Sequence, residues 1–138
     1  MKIVAKTLLT DSSNNLLLLN RGLTHPNFPG HFDLPGGEVE DGESWDIAVA
    51  REVNEEAGIT VNVDQLNKVF ERQHSTVLHV LYTSHLDEEK PDVKLSWEHS
   101  DFRWVTIEDL LDMPLPDGVD KYYLDVIQYL KSSVKSNN

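Results

Sequence analysis

The chain has 138 residues, 39% of them apolar and 26% charged, the composition of a folded, water-soluble protein with room for one domain. It contains no cysteine, which excludes a disulfide framework, a thiolate-held metal and a thiol nucleophile, and suits a reducing cytoplasm. Twenty-four Asp and Glu against 12 Lys and Arg leave a formal net charge of -12, the wrong sign for gripping a nucleic-acid polymer.

The opening "MKIVAKTLLTD" is too short and polar for a signal peptide, and no apolar run reaches membrane-spanning length. "KIVAKTLLT" and "NLLLLN" read as two buried strands joined by a "DSSNN" turn. The Gly and Pro of "RGLTHPNFPGH" indicate a loop. "FDLPGG" reads as a short strand stopped at Pro35-Gly36-Gly37. A helix is predicted from Ser44 to Ala57, closed by Gly58. "ITVNVDQLNKVFERQ" and "STVLHVLYTSHL" are strand-rich. "DFRWV" predicts a last strand and "TIEDLLDM" a short helix beginning at Thr106. The chain closes on an amphipathic helix in "DGVDKYYLDVIQYLKS". This order implies an α/β (α+β) mixed sheet sandwiched between helices, as a single domain over residues 1–138.

On a helical wheel, Ile47, Ala50, Val53 and Ala57 form a stripe suited to packing on a sheet. Glu52, Glu55 and Glu56 gather on the other side, with small Ala48 among them. Like charges at i, i+3 and i+4 repel, and anions near a helix C-terminus also oppose its dipole. The cluster is unfavourable for the helix itself. A divalent cation with hard oxygen ligands would reverse that penalty.

From Gly37, five residues lead to Glu43, seven more lead to Arg51-Glu52, and Val53, Asn54, Glu55, Glu56, Ala57, Gly58 and Ile59 follow. This resembles the Nudix box, Gly-x5-Glu-x7-Arg-Glu-U-x-Glu-Glu-x-Gly-U with U a bulky aliphatic residue, at every defined position. The resemblance implies the Nudix fold and hydrolysis of a nucleoside diphosphate linked to a further group X, with Mg²⁺ or Mn²⁺ and a water nucleophile. It implies that Glu52, Glu55 and Glu56 are metal ligands and that the Gly36 carbonyl is a backbone ligand. Gly37, Glu43, Arg51 and Gly58 would be structural, Arg51 holding acids such as Glu43 or Glu52 in place, and Ala48 would leave room for phosphates. The general base would be Glu52 or Glu55, or else Glu98, which precedes the last strand where some relatives keep a catalytic Glu.

Outside the box, Arg21 is a candidate for a substrate phosphate and Phe28 for stacking on a base, as are Phe32, Tyr82 and Trp97. The six histidines show no metal-ligand spacing, so packing in strands and loops is the expectation for each. Downstream markers that separate subgroups of the family are missing from "RQHSTVLHV". By elimination, a MutT-like (d)NTP pyrophosphohydrolase releasing NMP and pyrophosphate is expected. Hydrolysis of ADP-ribose, a nucleotide sugar or a dinucleoside polyphosphate is the alternative, and a non-catalytic nucleotide-sensing module is a different class. The expected partner is a small nucleotide, with no nucleic-acid polymer and no membrane, for a cytoplasmic monomer or homodimer.

Overall fold

The structure is a computed structural model that describes residues 1–136. In chain order the strands are β1 (Lys2–Thr10), β2 (Leu16–Arg21), β3 (Phe32–Asp33), β4 (Gly36–Glu38), β5 (Asn67–His74), β6 (Val77–His85) and β7 (His99–Val105). Helix α1 (Trp45–Ala57) follows β4, α2 (Ile107–Asp112) follows β7, and α3 (Lys121–Ser136) comes last.

Strand β1 is the centre of the sheet. It runs parallel to β6 along its whole length, and its other edge carries β4 near the start and β2 at Thr10. Strand β2 in turn pairs antiparallel with β3 and β7, and β5 pairs antiparallel with β6. Helices cover both faces, so the central strands are apolar on both sides and "NLLLLN" needs no polar alternation. Leu16 and Leu18 pack with Leu110, Tyr122, Tyr123 and Val126 on the α2–α3 face. Their neighbours Leu17 and Leu19 pack with Val49, Val53 and Ala57 of α1 on the other. No helix among the described residues is long and apolar enough to cross a membrane.

Several sequence expectations are corrected. "FDLPGG" is not one strand ended by its glycines: Gly36 and Gly37 lie inside β4, paired with Lys6 and Ala5 of β1. The stretch after Gly58 forms a short 3-10 turn, Val63–Gln65, before β5 begins at Asn67. Helix α1 meets the sheet through Ala48, Val49, Val53, Glu56 and Ala57, while Ile47 is 53% exposed. The wheel was therefore rotated from its true seat. Ala48, expected to line a phosphate site, is buried under the helix instead.

Candidate active site

Backbone comes first. Gly36 sits at φ +134°, and a Cβ there would lie 2.4 Å from both the Ala5 carbonyl oxygen and the Lys6 Cα. Only glycine allows β4 to press this closely onto β1. At Gly37 a Cβ would stand 2.9 Å from the Glu52 carboxyl carbon, so the bare backbone admits that side chain. The Gly36 N–H donates to Glu56 Oε1 at 3.2 Å. The first and last acids of the helix cluster thus lie against one Gly-Gly edge.

Burial separates the three acids. Glu56 is 3% exposed, Glu52 is partly covered, and the Glu55 side chain is 57% exposed. Burial pushes the Glu56 carboxyl well above its ordinary value, opposed by Lys6 and reinforced by Asp33 and Glu52. Burial also raises Glu52, against the pull of Arg51. Two carboxylates held close together in a poorly solvated place favour either a proton or a cation between them.

Arg51 organises the outer side of the helix. Its Nε and Nη2 donate to the two oxygens of Glu43 at 2.7 and 3.0 Å, a two-pronged bond. Its Nη1 donates to Glu52 at 3.0 Å and to Glu55 at 3.3 Å. These bonds hold the Glu43 carboxyl below its usual range. Gly58 closes α1 at φ +68°, its N–H donating to the Asn54 carbonyl at 2.9 Å.

Beneath Glu56 lies a buried network that the sequence reasoning missed. Asp33 of β3 accepts from Lys6 Nζ at 2.5 Å, Arg21 Nε at 3.1 Å and, on α3, the Tyr123 hydroxyl. His99 of β7 places Nε2 2.9 Å from Asp33 and Nδ1 3.5 Å from Glu56 Oε2. Burial alone would raise the Asp33 carboxyl, but Lys6, His99 and Arg21 together hold it far below its ordinary value. Two signals were available in the sequence: a lysine in the middle of the apolar "IVAKTLL", and an aspartate between Phe32 and Leu34. Contrary to expectation, His99 is not packing in isolation but is bonded to Asp33 and stands between that carboxylate and Glu56.

A cleft of about 390 Å³ opens over this floor, within the range of small-ligand sites. Glu52, Glu56 and Glu98 all line it, with the backbone of Gly36 and Gly37, whereas Glu55 does not. Glu98 is held by a bond from the Gly22 N–H to its carbonyl at 2.9 Å, and its Oε2 lies 3.4 Å from His25 Nε2. Arg21 also lines the cleft, yet its guanidinium is committed to Asp33 and to the Asn27 carbonyl at 2.7 Å. It stands at the cleft wall as one half of a buried ion pair. Phe28 lines the cleft with its ring 5.6 Å from the Arg21 guanidinium carbon. Phe32 and Tyr82 are buried in the core, and Trp97 is exposed.

A family model for the NUDIX domain matches residues 2–126. The chain belongs to the Nudix family. Among solved structures, this Nudix chain resembles the MutT protein of Methanosarcina mazei Go1 with a TM-score of 0.74 and 30% identity, covering 97% of this chain and 95% of that one. It is 30% identical over 125 residues to the NAD-capped RNA hydrolase NudC of Stutzerimonas stutzeri, 83% of this chain and 44% of that protein. It is 32% identical over 84 residues to the 8-oxo-dGTP diphosphatase of Proteus vulgaris, 58% of this chain and 74% of that protein. The Nudix chain spans less than half the length of the first curated relatives it matches.

Proposed function

We propose that this protein is a metal-dependent Nudix pyrophosphohydrolase that cleaves a phosphoanhydride bond in a nucleotide. The observation that carries the reading is the convergence of Glu52, Glu56 and Glu98 on one cleft beside the Gly36–Gly37 backbone. The donors gathered there are hard oxygens, which fit Mg²⁺ or Mn²⁺. Glu52, Glu56 and the Gly36 carbonyl would hold the ion, with Glu55 contributing from the rim. When bound, such ions neutralise phosphate charge and lower the pKa of water.

The remaining tasks belong to the chain. Arg51 fixes the rotamers of Glu52 and Glu55, and the Gly36 N–H bonds Glu56 while the His99 ring stands 3.5 Å from its other oxygen. Phe28 offers a ring for a base at the cleft wall. Glu52, Glu55 and Glu98 are the candidates to take the proton from the attacking water. The likeness to a MutT protein over nearly the full chain supports a (d)NTP pyrophosphohydrolase releasing NMP and pyrophosphate. The likeness to an NAD-capped RNA hydrolase and, over 62 residues, to an ADP-ribose pyrophosphatase supports an ADP-ribose-type substrate as the second reading. A panel of (d)NTPs, oxidised dNTPs, ADP-ribose, nucleotide sugars, dinucleoside polyphosphates, NADH and coenzyme A, ranked by kcat/KM, decides between them. No turnover of any of these with Mn²⁺ present would leave only a sensing role.

Metal should stabilise as well as activate. Glu52 and Glu56 have raised folded values, so the stability linked to their protons is full below the ordinary carboxylate range and is lost as pH rises through those values. A cation replaces those protons, so the gap in Tm between Mn²⁺ and EDTA should widen from pH 5 to pH 8. At a metal concentration ~100 times Kd the gain is about 2.7 kcal/mol. Equal Tm in both solutions at pH 8 would remove the preformed site.

Glu98→Gln separates the loop acid from the helix. If Glu98 is the base, kcat should fall by roughly 10²–10⁴ with unchanged metal affinity and loss of the acidic limb of the pH profile. An unaltered kcat and profile would assign proton acceptance to the helix acids.

A further inference from the structure

On the wall opposite α1, strands β5 and β6 and helix α3 bring two imidazoles and a carboxylate together. His74, at the end of β5, has Nε2 2.7 Å from Asp125 Oδ2. His79 of β6 has Nδ1 3.6 Å from the same oxygen, beyond hydrogen-bond reach. These ligand atoms lie within 4.8 Å of one another, and the imidazole rings stand 5.1 Å apart.

A second observation sets the cluster apart from an ordinary charged network. The His79 side chain is only 8% exposed, and among the described residues its Nδ1 has no hydrogen-bond partner. A buried ring nitrogen left without a partner is costly and rare in a folded protein. Burial also depresses the His79 imidazole, which therefore stays neutral with a lone pair to give. The outer oxygen of Asp125 is already anchored, accepting from Arg72 Nη1 at 3.2 Å, and Arg72 is itself tied to Gln128 at 2.8 Å. Ligating carboxylates are commonly oriented by such outer hydrogen bonds.

We propose that His74 Nε2, His79 Nδ1 and Asp125 Oδ2 form a second metal site, selective for a borderline divalent ion such as Zn²⁺. Two imidazoles with one carboxylate suit zinc, whereas Mg²⁺ takes oxygen. Tetrahedral zinc needs donor atoms about 3.3 Å apart. The 2.7 Å contact has to open and the 3.6 Å contact to close, each by a fraction of an ångström, and the two imidazole nitrogens, within 4.8 Å of each other, to close by up to about 1.5 Å. A fourth position stays open to solvent past His74, whose side chain is 34% exposed. The ion would pin α3 to the β5–β6 pair. Because His79, Asp120 and Tyr122 also line the substrate cleft, it would stiffen that wall without touching the glutamates.

The test is a calorimetric titration of the full chain with Zn²⁺ in excess Mg²⁺, which occupies the oxygen site. One equivalent should bind and raise Tm. His74→Ala, at a half-exposed position, should keep its fold by circular dichroism and weaken zinc binding about tenfold or more. Asp125→Asn should do the same if His74→Ala fails to fold. Co²⁺ should give visible d–d bands in the wild type that are lost in either variant. No zinc uptake in excess Mg²⁺, or uptake undiminished in both variants, overturns the proposal. So does uptake lost in Glu52→Gln but retained in His74→Ala, because the ion would then sit at the glutamates.

Discussion

Glu52→Gln should lower kcat by about two orders of magnitude or more at saturating metal. Glu52 faces the cleft, lies against the Gly37 backbone and is aimed by Arg51 at 3.0 Å. Glutamine keeps its size and its bond-accepting oxygen but loses the charge that a cation or a proton requires. The fold itself should not suffer. Burial already disfavours the charged form of Glu52, so the neutral variant without metal should be at least as stable as wild type at pH 8. A large loss of kcat with unchanged or higher Tm in EDTA is therefore the signature of a functional rather than a structural carboxylate. Near wild-type turnover in a folded Glu52→Gln protein would sink the proposed chemistry.

Asp33→Asn should produce the opposite pattern, a severe loss of stability. The substitution deprives Lys6 and Arg21, both 6% exposed, of the carboxylate with which each forms its ion pair. Removing one partner from a buried charge network costs about 3–5 kcal/mol. The sign with pH follows from the depressed folded value of Asp33. Its contribution is complete above the ordinary carboxylate range and drains away as pH falls toward that lower value. Urea unfolding at pH 7 should show the full deficit, and at pH 3 the gap between variant and wild type should narrow. A deficit under about 1 kcal/mol at pH 7 would mean that the network stabilises far less than its geometry suggests.

These two acids also mark how much the sequence discloses. Glu52 was legible because the box spacing places it on a known helix turn beside two glycines. The ends of α1 at Ser44 and Gly58 and the position of Glu98 before β7 were legible for similar local reasons. Asp33 was legible only as an acid between apolar neighbours, not as a hub, because three of its partners lie 27, 66 and 90 residues away along the chain. Only the folded sheet brings them together. The misplaced stripe on α1 has a related cause. A wheel weighted by hydrophobicity turns Ile47 inward and Glu56 outward, but Glu56 is bonded inward by the Gly36 N–H. The helix accommodates this by leaving Ile47 in water. Similarly, the "LPGG" glycines read as punctuation when they are in fact strand residues needed for a close approach.

The parallel β1–β6 pair carries a consequence for how the chain acquires this form. Thr10 meets His85 across 75 residues, so the central ladder cannot close while a ribosome has delivered only the first half of the chain. The β1–β2 pairing formed before then is a single registered contact at Thr10 and Leu16. An emerging chain thus holds the apolar "KIVAKTLLT" segment without its long parallel partner until β6 arrives and "NLLLLN" without β7 until later, and their α3 face waits longer still. Such non-local topologies fold on the ms–s scale, and the waiting strands are the segments most exposed to misassociation. Truncation before β6 should therefore yield aggregates rather than a folded half, and chaperone dependence should concentrate on the first 21 residues.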